Sequence, residues 1–192
     1  MSTASANPGW VLPSRGRVGI FSLFASEVAI FVIFIVAYLF YAGKSISGPS
    51  ASVLHAPVVM TVCLLSSSWT IHRALSALRR GEVGSFAAFW LATIVLGAVF
   101  LAGTALEWRH LIRDEGLTIR TNLLGTTYYS LVGLHAFHVT VGLIALATVA
   151  LLTASGHVKR EHAARIDLLG LYWHFVDVVW IAVFLVVYVV GR

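Results

Sequence analysis

Long apolar runs separated by short polar connections set the pattern of this chain. A helix needs roughly 20 consecutive apolar residues to cross a hydrocarbon core, and five runs reach that length, near residues 18–41, 55–78, 85–107, 123–154 and 168–190. A helix satisfies every backbone group within its own segment, so the expected fold is an all-α membrane protein, a five-transmembrane-helix bundle. At about 1.5 Å per residue the fourth run exceeds a core of about 30 Å by several turns and must tilt or project beyond the lipid. Ahead of the first run, MSTASANPGWVLPSRGRVG carries Pro8, Pro13 and scattered glycines without apolar periodicity. Residues 1–17 therefore read as a mobile arm and 18–192 as one membrane domain. The first run is longer than a signal-peptide core of about 7–15 residues and ends in FYAGK without a cleavage signature, so it is expected to stay as an anchoring helix.

Composition agrees with this pattern. The 192 residues are 59% hydrophobic and 11% charged, which excludes an ordinary soluble domain. Lys and Arg then choose an orientation, because the retained side carries the excess. Eight sit on one side (Arg15, Arg17, Arg73, Arg79, Arg80, Lys159, Arg160, Arg165) and five on the other (Lys44, Arg109, Arg113, Arg120, Arg192). The N-terminus is thus expected in the cytoplasm and the C-terminus in the periplasm. The net charge of +5 reads as topology and headgroup contact, with no nucleic-acid module to use it. The single cysteine, Cys63, lies inside an apolar run and reads as a buried small side chain.

Six ionisable residues interrupt the apolar runs: Glu27, Glu107, His135, His138, His174 and Asp177. A charge at mid-membrane costs roughly 2.5–3.5 kcal/mol on insertion scales, so each needs a partner or a function. Glu27 lies near mid-depth and has no cation within one turn of its own helix, so it is protonated, paired across helices, or open to water or a headgroup. His135 with His138, and His174 with Asp177, are spaced i, i+3 on one helix face. On the fifth run that face continues through Ile181, Phe184 and Tyr188, which points the second pair inward, in the cytoplasmic third, to lock helices together. Glycines in GLHAFHVTVG (Gly133 to Gly142) favour close helix packing. Trp10 and Trp108 flank spans as interfacial anchors, whereas Trp69, Trp90, Trp173 and Trp180 read as packing residues.

Rival chemistries find little support. Glu107-Trp-Arg-His110 is a lone Glu-x-x-His, where a di-iron site uses such pairs on facing helices. A bis-histidine haem needs histidines at two depths of facing helices, and a redox copper site needs thiolates or a denser His cluster. An independent membrane di-metal enzyme is therefore the weaker alternative. A transporter would show inverted repeats and broken helices, and the runs here are unbroken.

Four ordered segments, FASEVAIFVIF with Ser26-Glu27, LEWRHLI, GLHAFHVTVGLI and YWHFVDVVWIAVFLVVYVVG, together resemble subunit III of the haem-copper cytochrome oxidases, in order from Phe21 to Gly191. The common form has seven spans with a lipid-filled cleft between the first two helices and the rest. This chain resembles the last five, as in the short bacterial form, so one wall of that cleft is absent.

The resemblance implies an accessory, non-redox role in a bacterial inner membrane. The chain itself binds no haem or copper. These lie in partner subunits I and II, which reduce oxygen to water and pump protons, and a subunit IV is a further possible partner. The resemblance also implies contacts with structural phospholipid, and cytochrome c or quinol as donor to the complex, with Ser26-Glu27 leaning towards cytochrome c. It maps the family's carbodiimide-reactive carboxylate onto Glu27, its histidines onto His135 and His138, and its Trp-His-Phe-x-Asp onto Trp173, His174, Phe175 and Asp177. No residue of this chain is expected to be catalytic or to hold a metal. An imidazole titrates near neutrality, so His72, His157 and His162 are candidates for proton buffering at the cytoplasmic surface.

Overall fold

The computed structural model describes residues 15–44 and 47–191. Its helices are α1 (Arg15–Tyr41), α2 (Val58–Arg80), α3 (Val83–Arg113), α4 (Leu123–Ala154) and α5 (Ala163–Leu185), the last continuing into a π-helical turn, Val186–Val190. Among the described residues, five helical stretches are long and apolar enough to cross a membrane. Residues 1–14, with Trp10, and Arg192 lie outside the described residues, but Arg15, Gly16 and Arg17 already form the first turn of α1 and do not belong to an arm.

Local chemistry explains most of the boundaries. Pro57 occupies the N-cap of α2, so that helix starts at Val58, after His55. Gly81 ends α2 at φ 83°, a left-handed cap that costs glycine little. Only Gly81 and Glu82 separate α2 from α3, which makes these two helices a tight hairpin. Asn122 caps α4, its side-chain oxygen accepting from Gly125 N–H at 2.8 Å, and its amide donates to the carbonyls of Ser47 and Pro49. Two helices outrun their apolar cores. α3 continues to Arg113, so Glu107 and His110 are helical, and α5 begins at Ala163 rather than near residue 168.

Neighbour contacts run from α2 to α3, α3 to α4, α4 to α1, α1 to α5 and α5 back to α2, and α4 touches α5 across this ring. The core fills the space between them with Trp90, Trp173, Trp180, Phe86, Phe100, Tyr38 and Tyr128, all essentially inaccessible. α1 is the least embedded helix. Six per cent of the residues in its most apolar stretch are buried, against 44% in the stretch containing α5. Its attachment is a narrow seam through Phe24, Glu27, Phe31 and Tyr38: Phe24 stacks on Phe175 at 4.4 Å, and Tyr38 donates to the Val187 carbonyl at 3.4 Å.

Trp69 departs from the packing role expected of it. It is 60% exposed on the outside of α2, edge-on to Phe89, with the Arg73 guanidinium 5.7 Å from its ring. Trp108 departs in the other direction, packing against Tyr129 at 5.4 Å with its indole nitrogen buried. The buried side of α5 is also rotated from the expected stripe. It follows Trp173, Asp177, Trp180, Val183 and Val187, while Ile181 is 42% exposed and His174 only half-buried. Because α5 starts five residues before the apolar run, Asp177 lies about 21 Å along the helix from its first residue.

Candidate functional site

Two polar clusters form at mid-bundle, each bridging helices. The first joins α1 to α4. His138 Nδ1 lies 2.8 Å from the Leu134 carbonyl, which can only accept, so this nitrogen carries a hydrogen. The other nitrogen, Nε2, lies 3.0 Å from Glu27 Oε2. A neutral imidazole facing the backbone this way presents a lone pair to Glu27, which must then donate from a protonated carboxyl. The alternative is an imidazolium donating to a carboxylate. Both arrangements place one proton between the two side chains and are neutral as a pair, which is how lipid tolerates them. Tyr172 of α5 adds a third element, its hydroxyl donating to the His138 carbonyl at 3.0 Å.

The second cluster joins α2 to α5. His174 and Asp177 are connected through Ser68, a residue the sequence reading did not single out. Ser68 Oγ is 2.9 Å from His174 Nδ1 and also hydrogen-bonds Asp177 Oδ2. The adjacent Ser67, fully buried, accepts from Trp173 Nε1 at 2.8 Å and donates to the Leu64 carbonyl. The run Ser66-Ser67-Ser68 within an apolar helix was the available signal.

Trp173 is fixed further by two glycines. A Cβ on Gly97 of α3 would lie 2.8 Å from Cη2 of its indole, and a Cβ on Gly142 of α4 would lie 2.9 Å from Cε3. The indole therefore fills a slot between α3 and α4 while bonding to α2, so one side chain of α5 contacts three other helices. The expected close packing around Gly142 has this as its cause.

His135 does not join His138 in a shared polar contact. It is fully buried, tilted against Trp180 at 4.9 Å and edge-on to Phe100 at 5.8 Å, and among the described residues neither of its nitrogens has a hydrogen-bond partner. Glu107, half-buried at the opposite end of α3, also has one carboxyl oxygen without a partner. His110 is exposed and donates to Asp114 at 2.7 Å.

Both nitrogens of His138 are engaged, His135 is enclosed by rings, and among the described residues no group of three or more His, Cys, Asp and Glu side chains could hold a metal. The three surface histidines also divide. His157 and His162 line one cavity of about 390 Å³ with Arg165 and Ile166, whereas His72 is exposed on α2.

Comparison with known proteins gives the arrangement its context. A family model described as cytochrome c oxidase subunit III matches residues 14–192. The chain is similar to cytochrome c oxidase subunit 3 of Synechocystis sp., with 35% identity over 181 residues that cover 92% of this chain and 76% of the relative. It is similar to the same subunit of Alkalihalophilus pseudofirmus, with 32% identity over 177 residues, 91% of this chain and 86% of the relative. A probable cytochrome c oxidase subunit 3 of Nocardia farcinica is 30% identical over 203 residues, covering 99% and 100% of the two chains. With its five apolar helices in order and a match that runs almost from end to end, the chain belongs to the cytochrome c oxidase subunit III family.

Proposed function

We propose that this chain is the accessory, non-redox subunit of a haem-copper oxidase that takes electrons from cytochrome c in a bacterial inner membrane. One observation carries the reading. Glu27 with His138, Ser68 with His174 and Asp177, and Ser67 with Trp173 all pair between helices of this chain, which ties these polar groups into the bundle. Oxygen reduction and proton pumping are then left to subunits I and II, and this subunit stabilises subunit I. The proposed orientation puts the start of α1, the α2–α3 turn and the α4–α5 connection in the cytoplasm, as the eight-to-five distribution of Lys and Arg favours.

Phospholipid is the second proposed contribution. The lipid-facing sides of α1 and an apolar groove of about 640 Å³ between α3 and α4, lined by Ala87, Leu91, Ile94, Ala147 and Leu151, suit acyl chains. At the cytoplasmic surface His72, His157 and His162 buffer protons for uptake by subunit I. The deciding experiment is purification of the native complex with its haem spectrum, subunit composition and donor preference. A complex reduced by cytochrome c, containing this chain without metal of its own, is expected. A free, metal-containing chain overturns the reading, and reduction by quinol alone overturns the donor.

A further inference from the structure

We propose that Ser68 relays a proton between His174 and Asp177, which makes the seam between α2 and α5 a proton-accepting site inside this subunit. A serine hydroxyl has one hydrogen to donate and lone pairs to accept with. Here it stands between a ring nitrogen and a carboxyl oxygen, within hydrogen-bond distance of both. Two complete arrangements follow. In one, His174 Nδ1–H donates to Ser68 and Ser68 donates to a carboxylate at Asp177. In the other, Asp177 carries the proton and donates to Ser68, which donates to a bare Nδ1 on His174.

Moving between them balances without any further reactant. A proton arriving at His174 Nε2 bonds there. The Nδ1 hydrogen passes to Ser68 Oγ as the Ser68 hydrogen passes to Asp177 Oδ2. His174 ends neutral with its hydrogen on Nε2, Ser68 keeps one hydrogen, and Asp177 has gained one. The net result is one proton moved from the half-exposed ring to a carboxyl group that is 3% exposed.

The surroundings give this relay an entrance and an end. Ser68, His72 and Arg79 recur at i, i+4 and i+11 on α2, and Asp167, His174 and Asp177 at i, i+7 and i+10 on α5, so both sets share a helix face. Arg79 pairs with Asp167 where α2 ends and α5 begins, and His72 is exposed on α2. Inward of the relay, Asp177 Oδ1 has no partner among the described residues, and Asp177 forms no ion pair there. The remaining ionisable groups at this depth are His135 and His138 on α4 and Glu27 on α1, with the last two bonded to each other. Both hydrogen arrangements are complete with the donors and acceptors present.

The relay is distinct from the buffering assigned to His72, His157 and His162: replacing His157 and His162 tests proton-uptake kinetics and leaves the seam intact. The test is infrared spectroscopy of the intact oxidase complex in a pH titration and after transfer to D₂O, following a carboxylic C=O band from Asp177. The band is expected in the wild type and absent in Asp177→Asn. Labelling aspartate with ¹³C assigns it where that variant fails to assemble. Ser68→Ala and His174→Gln should slow its H/D exchange about a hundredfold, the low end of what a positioned proton-transfer group contributes, and Ser68→Thr should restore it. Absence of any Asp177 carboxylic band between acid and alkaline pH, or an exchange rate unchanged in Ser68→Ala, overturns the relay.

Discussion

Replacing Gly97 by alanine tests the slot around Trp173. Intrinsic helix propensity alone favours alanine by about 1 kcal/mol at a helix-interior glycine. The slot opposes that gain. The added Cβ would sit 2.8 and 2.9 Å from two indole carbons and 3.0 Å from Leu143 Cδ2. The indole has little room to retreat, because it lies so close to Gly142 that a Cβ there would also come within 2.9 Å of it, and Ser67 holds its nitrogen at 2.8 Å. Overpacking of this kind costs about 1–3 kcal/mol, so Gly97→Ala should be destabilised by up to about 2 kcal/mol after the propensity gain is subtracted. Trp173→Phe shortens the ring and removes the clash, so in the double variant Gly97→Ala should cost nothing further, with a coupling of about 1 kcal/mol or more. The assay is unfolding of the detergent-solubilised chain in an SDS titration, with variants compared at the midpoint. A Gly97→Ala chain more stable than wild type by the full propensity gain would refute the slot.

Four other outcomes follow from the same geometry. Ser67→Ala should lose about 1–3 kcal/mol in the same titration by leaving the Trp173 N–H buried without an acceptor; an unchanged midpoint would show that the bond does not form. Glu27→Gln can still donate to His138 Nε2 and should stay within about 1 kcal/mol of wild type, whereas His138→Phe strands the Glu27 carboxyl at about 1–3 kcal/mol; equal losses in both would sink the shared-proton description. Carbodiimide labelling should concentrate on Glu27 and vanish in Glu27→Gln, as the family resemblance implies, and labelling that persists in that variant would count against it. At the α2–α3 turn Arg80 holds the Glu82 carboxyl below its ordinary value of 4.5, so that pair's small contribution is present above pH 4.5 and disappears as acid protonates Glu82. Acid titration of Glu82→Gln should show that increment missing, and an identical acid limb would contradict it.

The five helices were legible because length and apolar character decide membrane crossing. Their ends were less so, because caps and hairpin turns set them. α3 keeps its hydrogen bonding past Glu107 through Trp-Arg-His, and α5 begins before its apolar run. Glu27 was legible as a residue in need of a partner, but identifying His138 required knowing how α1 and α4 are rotated towards each other, which spacing along one chain does not encode. His174 and Asp177 were legible as a pair that joins helices, but the partner on the neighbouring helix was not. Serine is cheap in a membrane helix, so the run Ser66-Ser67-Ser68 marked a polar patch without telling that Ser68 stands between them. The same applies to Gly97, whose role exists only because Trp173 arrives from a different helix.

The narrow attachment of α1 has a mechanical consequence. A helix surrounded mostly by acyl chains is free to lean with bilayer thickness, because greasy surfaces resist sliding and turning only weakly. The contact between Glu27 and His138 is directional and sits about halfway along the helix, so it fixes the rotation and axial height of α1 against α4 where apolar contacts alone would leave both loosely set.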